Sequence, residues 1–228
     1  QESMHDAVQR ESKNVRENAG ILDGSTLGKI EIKGEDALEF MNLIYTNSFT
    51  KMKQGSARYA LMLGEDGMVK DDGIICKISD QHFIATTTTG GAATVLGCME
   101  EYAQTEWPNL KVFMNSITEQ YATFNISGPK TREIMKKAFP NINFSNEEFP
   151  FMTFQFHEFN GVPIRILRAS FTGELGYEIY IPSNSALKIW EGIQSFGKEF
   201  GLAPYGTEAM HLLSCLLYTS DAADEWLR

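Results

Sequence analysis

The residues with the clearest chemical potential lie in one stretch, Ala57 to Ile78, which reads A-R-Y-A-L-M-L-G-E-D-G-M-V-K-D-D-G-I-I-C-K-I. Two runs of strand-forming residues flank Gly64-Glu65-Asp66-Gly67, a hairpin signal with Asp-Gly at its tip. Side chains alternate along a strand, so Tyr59, Leu61 and Leu63 share one face of the first run. Asp72, Ile74, Cys76 and Ile78 share one face of the second. Asp72 therefore stands in an apolar row and is expected to point inward. Asp71 falls on the opposite face with Val69, Gly73, Ile75 and Lys77, where a carboxylate is expected to reach water. A loop of two or four residues puts Tyr59 and Asp72 on one face of the hairpin, and a three-residue bulged loop separates them; the even loop is the expectation. A carboxylate among apolar neighbours is costly unless it is paired, hydrogen-bonded or protonated. It either bonds backbone amides beside the turn or does acid-base work on a bound molecule, and the residues alone leave these readings level.

A second candidate stretch is Arg168 to Glu178, R-A-S-F-T-G-E-L-G-Y-E. Gly173 and Gly176 let the backbone approach a ligand closely or take a positive φ, which fits a plain turn equally well.

The remaining elements must position these stretches. Residues 4 to 19 are polar and read as a helix leading to a turn at Gly20. Lys29 to Lys33 reads as a strand, and Glu35 to Tyr45 as a short amphipathic helix through Leu38, Met41 and Tyr45. Gln81 to Thr89 reads as a strand ending in four threonines, after which Gly90-Gly91 opens a helix to about Thr105. Leu110 to Ile117 and Gln120 to Ser127 read as strands, and Gly128-Pro129 starts a helix carrying Ile134, Met135 and Ala138. Met152 to Phe159 and Val162 to Ala169 form a second hairpin around Asn160-Gly161. Ser170 to Pro182 runs from a turn into a strand, Ser183 or Asn184 caps a helix, and another helix begins near Tyr205. Strands that arrive in hairpins, without βαβ alternation, predict an α+β body of two interleaved lobes, mainly antiparallel sheet with flanking helices.

Composition narrows the function. The 228 residues are 43% hydrophobic and 22% charged, proportions that give a globular protein with a substantial core. The formal net charge of -10 argues against nucleic-acid or anionic-membrane partners, which call for basic surface. No run of about 18 apolar residues is present to span a membrane, and the N-terminus lacks the apolar core of a signal peptide. Cys76, Cys98 and Cys215 form no close pair, which suits a reducing cytoplasm and gives no zinc spacing. His5, His82, His157 and His211 are scattered singly, so no metal is expected. Neither G-x-G-x-x-G nor a Walker-type G-K-[ST] occurs.

The spelling R-Y-x-L-M-L-x-E-D-G-x-V-x-D-D-G resembles the folate-binding aminomethyltransferase family, which includes the glycine-cleavage T-protein and the C-terminal parts of sarcosine oxidase alpha subunits and dimethylglycine dehydrogenases. V-R-x-x-x-G-I-x-D-x-S-T-L-G-K-I, from Val15, and R-x-x-F-T-G-E-x-G-Y-E, from Arg168, resemble it too. S-T-L-G-K-I is nearer the sarcosine oxidase alpha form than the S-H-M-G usual in T-proteins. The resemblance covers roughly Val15 to Leu213. It implies tetrahydrofolate-dependent one-carbon transfer, with Asp72 catalytic, Tyr59 and Leu27 lining the folate cavity, Phe171 packing near the pterin and Glu178 bonding its ring nitrogens. Tyr177 is expected in the core. The implied setting is the folate domain of a sarcosine oxidase alpha subunit yielding 5,10-methylenetetrahydrofolate, with a small amine-derived carbon donor and other oxidase subunits as partners. Flavin and NAD would sit elsewhere in such a complex, and the fragment alone need not be active. The alternatives are a glycine-cleavage aminomethyltransferase, or a non-catalytic folate-binding or assembly protein on the same fold. Met210 stands where T-proteins place a folate-contacting arginine, so the resemblance does not carry that contact.

Along the chain, residues 1–14 read as a partial lead-in and residues 15–213 as the folate-binding domain, truncated at its C-terminal end. From Ser214 the family pattern stops. Cys215 to Glu225 resembles one reading frame of a transposon-type sequencing adapter, so residues 214–228 are expected to be a non-native tail.

Overall fold

The computed structural model describes residues 2–214. In chain order the elements are α1 (Met4–Glu17), β1 (Ala19–Asp23), β2 (Gly28–Lys33), α2 (Ala37–Ile44), β3 (Ala57–Leu63), β4 (Val69–Ser79), β5 (His82–Thr87), α3 (Ala92–Thr105) and β6 (Phe113–Ser116). There follow β7 (Tyr121–Ser127), α4 (Thr131–Ala138), β8 (Phe154–Phe159), β9 (Val162–Leu167), β10 (Gly176–Pro182), α5 (Ala186–Gly197) and β11 (Leu202–Pro204). Residues 207–214 are helical. The chain divides into two units interleaved along the sequence, as the hairpin pattern predicts. The first holds the described residues up to Gly24, Thr123–Phe151 and the described residues from Phe156 on; the second holds Ser25–Ala122 and Met152–Gln155.

The second unit is built on a five-stranded antiparallel sheet in the order β3-β4-β5-β2-β6. The apolar face of α2, Phe40, Met41 and Ile44, meets Val95 and Met99 of α3 and the sheet residues Ile30, Ile32, Ala60, Met62, Ile75, Phe83 and Ala85 in one core. Fully burying an aliphatic side chain of this kind is worth about 1.5–3 kcal/mol, so this face fixes which side of the sheet the helices cover. Lys77 on that face is almost fully buried, and its ammonium donates to the Phe49 carbonyl at 3.1 Å and pairs with Asp80 at 2.7 Å.

The first unit is built on a six-stranded sheet in the order β11-β1-β7-β10-β9-β8. The β1–β7 and β9–β10 pairs run antiparallel and the β1–β11 pair parallel. Its core includes a stacked Phe144–Phe149 pair, 5.8 Å between centroids, with Tyr177 edge-on to both.

One local expectation changes. Gly20 is not a turn but lies inside β1, where a Cβ would come within 2.5 Å of the Tyr205 ring; the glycine permits close packing. Ser214, the first residue of the expected non-native tail, is helical and buried; Cys215 to Arg228, the rest of that tail, lie outside the described residues. Among the described residues, no helix is long and apolar enough to cross a membrane.

Candidate functional site

The β3–β4 hairpin carries the pair that the sequence singles out. Gly64 N–H donates to the Met68 carbonyl and Gly67 N–H to the Gly64 carbonyl, closing a loop of three residues, Glu65 to Gly67. Gly67 takes φ +77°, the left-handed position such a loop needs. The loop is therefore odd and not even. The pairing nevertheless shifts by one residue between Met62 and Leu63, leaving Lys70 as an extra, bulged residue. Below the bulge Leu61 faces Asp72 and Tyr59 faces Ile74, so Tyr59 and Asp72 share a face as expected. Tyr59 Oη donates to Asp72 Oδ2 at 2.6 Å.

Which face is buried comes out reversed. Asp71, expected to reach water, is 7% exposed on the helix-covered side with Ile75 and Lys77. Asp72, expected to point inward, is only half-buried on the other side, and Tyr59 is exposed. Alternation tells which residues travel together but not which side the helices choose; here Ala60, Met62 and Ile75 choose it.

Asp71 earns its burial through β5 and the start of α3. Thr88 Oγ1 donates to Asp71 Oδ1 at 2.6 Å and Thr88 N–H donates to Oδ2 at 3.2 Å. Thr88 Oγ1 in turn accepts from Gly91 N–H at 3.0 Å. Desolvation pushes the Asp71 carboxyl above the usual aspartate range, against the opposing pull of the Thr88 bonds. Sequence reasoning missed this network; its signal was the threonine run abutting Gly90-Gly91. Leu27 lies at the same end of this sheet, since Gly28 pairs with Thr87 and Thr26 Oγ1 is 3.1 Å from Thr89 Oγ1. Leu27 is half-buried, and its carbonyl and that of Ser25 accept from the buried Lys29 ammonium at 2.8 and 3.0 Å.

Phe171 and Glu178 belong to the other unit. Phe171 is 44% exposed in a turn tightened by Ser170 Oγ, which donates to the Glu174 carbonyl at 2.6 Å, and by Gly173 at φ +81°. Glu178 faces Leu167 across β9–β10 and is half-buried, and its Oε2 accepts from Tyr180 Oη at 2.6 Å. The Arg165 guanidinium lies 4.0 Å from the Tyr180 ring centroid, a cation-π contact. Alternation along β10 places Tyr180 beside Glu178, which a reading confined to the motif overlooked. Tyr177 is fully buried, in the core as expected.

Residues 1–218 match the family described as "GCVT N-terminal domain". Sarcosine oxidase subunit alpha of Corynebacterium sp. (strain U-96) is 50% identical over 213 residues, which are 93% of this chain and 22% of that protein. The aminomethyltransferase of Thermoanaerobacter pseudethanolicus is 30% identical over 210 residues, 91% of this chain and 55% of that one. Glycine cleavage system aminomethyltransferase T from Bartonella henselae has a similar fold, with TM-score 0.78 at 23% identity over 91% of this chain and 53% of its own.

Proposed function

Because the chain belongs to the GCVT N-terminal domain family, we propose that it transfers a one-carbon unit to tetrahydrofolate as the folate domain of a sarcosine oxidase alpha-type subunit, yielding 5,10-methylenetetrahydrofolate. The observation that carries this reading is the Tyr59–Asp72 hydrogen bond of 2.6 Å on the side of the sheet opposite α2 and α3. The greater likeness to sarcosine oxidase subunit alpha than to the aminomethyltransferase favours the oxidase setting, with other subunits as partners and a small amine-derived donor. A half-buried carboxylate bonded to a phenol is held in one orientation. That suits it to stabilise the cationic iminium carbon, to accept the proton that the folate nitrogen loses as its bond to that carbon forms, and to return it to the donor's amine, which leaves as its own bond to the carbon breaks and the second folate nitrogen closes the ring.

Reduced folate supplies the attacking nitrogen. Phe171 offers an exposed ring to a flat heterocycle, and Glu178, oriented by Tyr180, offers a carboxylate to ring N–H donors. Leu27 contributes apolar surface at the Asp72 end of its sheet.

The test is formation of methylenetetrahydrofolate by the intact enzyme complex, with folate binding measured alongside. Asp72→Asn keeps size and removes charge, so turnover should fall by about 10² to 10⁴ while folate still binds. Tyr59→Phe should cost less, because the carboxylate remains. Wild-type turnover in the Asp72 variant sinks the assignment.

A further inference from the structure

Within the first unit, a cavity of about 500 Å³ lies between the start of α4, the chain around Asn146 to Phe151 and the turn before β10; Arg132, Asn146, Phe151, Arg168, Glu174 and Leu175 line it. A volume of this size suits a small organic molecule. The charges around it are unexpected in a chain of net charge -10. Arg132 enters from α4 and Arg168 from the residue after β9, and neither belongs to an ion pair among the described residues. The carboxylate on the wall, Glu174, is already paired with Arg16 Nη1 at 2.8 Å. The exposed Glu147 carboxyl nearby is held below its usual range first by its own backbone amide and the Ser145 hydroxyl, with Arg132 contributing least.

Each guanidinium is oriented by one hydrogen bond. Arg132 Nη2 donates to Asn146 Oδ1 at 2.7 Å and Arg168 Nη1 donates to the Phe149 carbonyl at 2.7 Å. A guanidinium carries five N–H donors in a fixed fork, so both keep donors to offer. Arg168 Nε is buried without a partner, and so is the hydroxyl of the fully buried Tyr177, on which both guanidinium charges bear. Two preoriented forks outside any ion pair among the described residues form an arrangement that an oxyanion completes, since planar bidentate pairing is what the fork matches best. Phe151, 60% exposed, and the half-buried Leu175 add an apolar wall.

We propose that this cavity binds a small organic oxyanion, a carboxylate or a phosphate monoester, whose head is gripped by Arg132 and Arg168 and whose apolar body lies against Phe151 and Leu175. The site is lined by residues of the first unit alone and needs no folate.

The test titrates the 228-residue chain with benzoate, with phenyl phosphate and with inorganic phosphate, following backbone amide resonances at constant ionic strength. Saturable shifts at Gly173, Glu174 and Leu175 are the expected result. Benzoate or phenyl phosphate as the tighter ligand tells carboxylate from phosphate ester, and inorganic phosphate reports the head alone. Arg132→Gln should weaken binding about tenfold or more, because a charge-assisted bond is lost. Arg132→Lys should recover only part of it, and added KCl should weaken it further. Arg168→Gln also releases the Phe149 carbonyl, so Arg132→Gln, which loosens only an asparagine side chain, is the deciding variant. The proposal is overturned if no anion gives saturable shifts at those three amides, or if Arg132→Gln binds as the wild type does.

Discussion

Replacing Asp71 by alanine removes the acceptor of two hydrogen bonds from a side chain that is only 7% exposed. The Thr88 hydroxyl bond at 2.6 Å is short and the Thr88 amide bond at 3.2 Å lies at the long end of the usual range. Bonds to a charged acceptor are each worth about 1.5–3 kcal/mol. The hydroxyl can rotate toward another acceptor, but the amide cannot, so the amide is left stranded. Burial works the other way: desolvation already holds the carboxyl above its ordinary range, so deleting the charge relieves part of that penalty. The net loss should be about 1–3 kcal/mol. Asp71→Asn keeps an acceptor of the same size and should lose less than about 1 kcal/mol. Its pH dependence is diagnostic. A carboxyl whose pKa is raised by folding contributes stability below the ordinary aspartate range and loses it as pH rises through the folded pKa. The asparagine variant has no such loss, so it should gain on the wild type between acidic and neutral pH. Urea midpoints at unchanged m-value measure both effects. An alanine variant within about 0.5 kcal/mol of wild type, less than a single such bond, or an asparagine variant that loses ground as pH rises, refutes the reasoning.

Gly91→Ala should act on the same network. Its Cβ would stand 2.4 Å from Asp71 Oδ1 and 2.7 Å from Thr88 Oγ1, while φ of -84° suits alanine, so the loss of about 1–3 kcal/mol is purely steric. Combined with Asp71→Ala most of that loss should vanish, a coupling that a double-mutant cycle reads directly. Burial pushes the half-buried His157 imidazole down. Folding therefore disfavours its charged form, and stability should fall as pH drops through the histidine range; His157→Gln should flatten that part of the melting-temperature profile. Arg16→Ala, which breaks a partly exposed ion pair with Glu174, should cost no more than about 1 kcal/mol in urea unfolding.

Long periodic elements were legible in the sequence because their apolar spacing matches a single period: α2, α3 and α5 fall within a few residues of where the pattern puts them. Both hairpins were legible from Asp-Gly and Asn-Gly at their tips. β1 and β11 were not. Gly20 sits mid-strand because the Tyr205 ring leaves no room for a side chain, and three-residue β11 gains its identity only from pairing with β1. Such strands are defined by tertiary contacts, which local propensity cannot supply. For the site, Tyr59 and Asp72 were legible as a pair, whereas the depth of each aspartate was not. Lys77 shares the buried face with Asp71, so a polar residue in a strand signals a satisfied partner as readily as it signals solvent.

The bulge at Lys70 decides which of two chemically identical carboxylates meets Tyr59. The three-residue loop pairs Leu63 with Val69. Were Lys70 paired and not bulged, the ladder would continue Met62 with Lys70, Leu61 with Asp71 and Ala60 with Asp72. Asp71 would then share the face of Tyr59, and Asp72 would lie under the helices. One inserted residue moves every later side chain of β4 to the opposite face. The observed register places Asp72 beside the Tyr59 phenol and Asp71 beside Thr88. An acid-base role needs a carboxylate that a substrate can reach, and an anchoring role needs one that it cannot. A single irregularity in one strand thus separates an anchored carboxylate from the one proposed for acid-base work, and it couples them, because the bonds that hold Asp71 in the core also hold the strand in the register that sets Asp72 beside Tyr59.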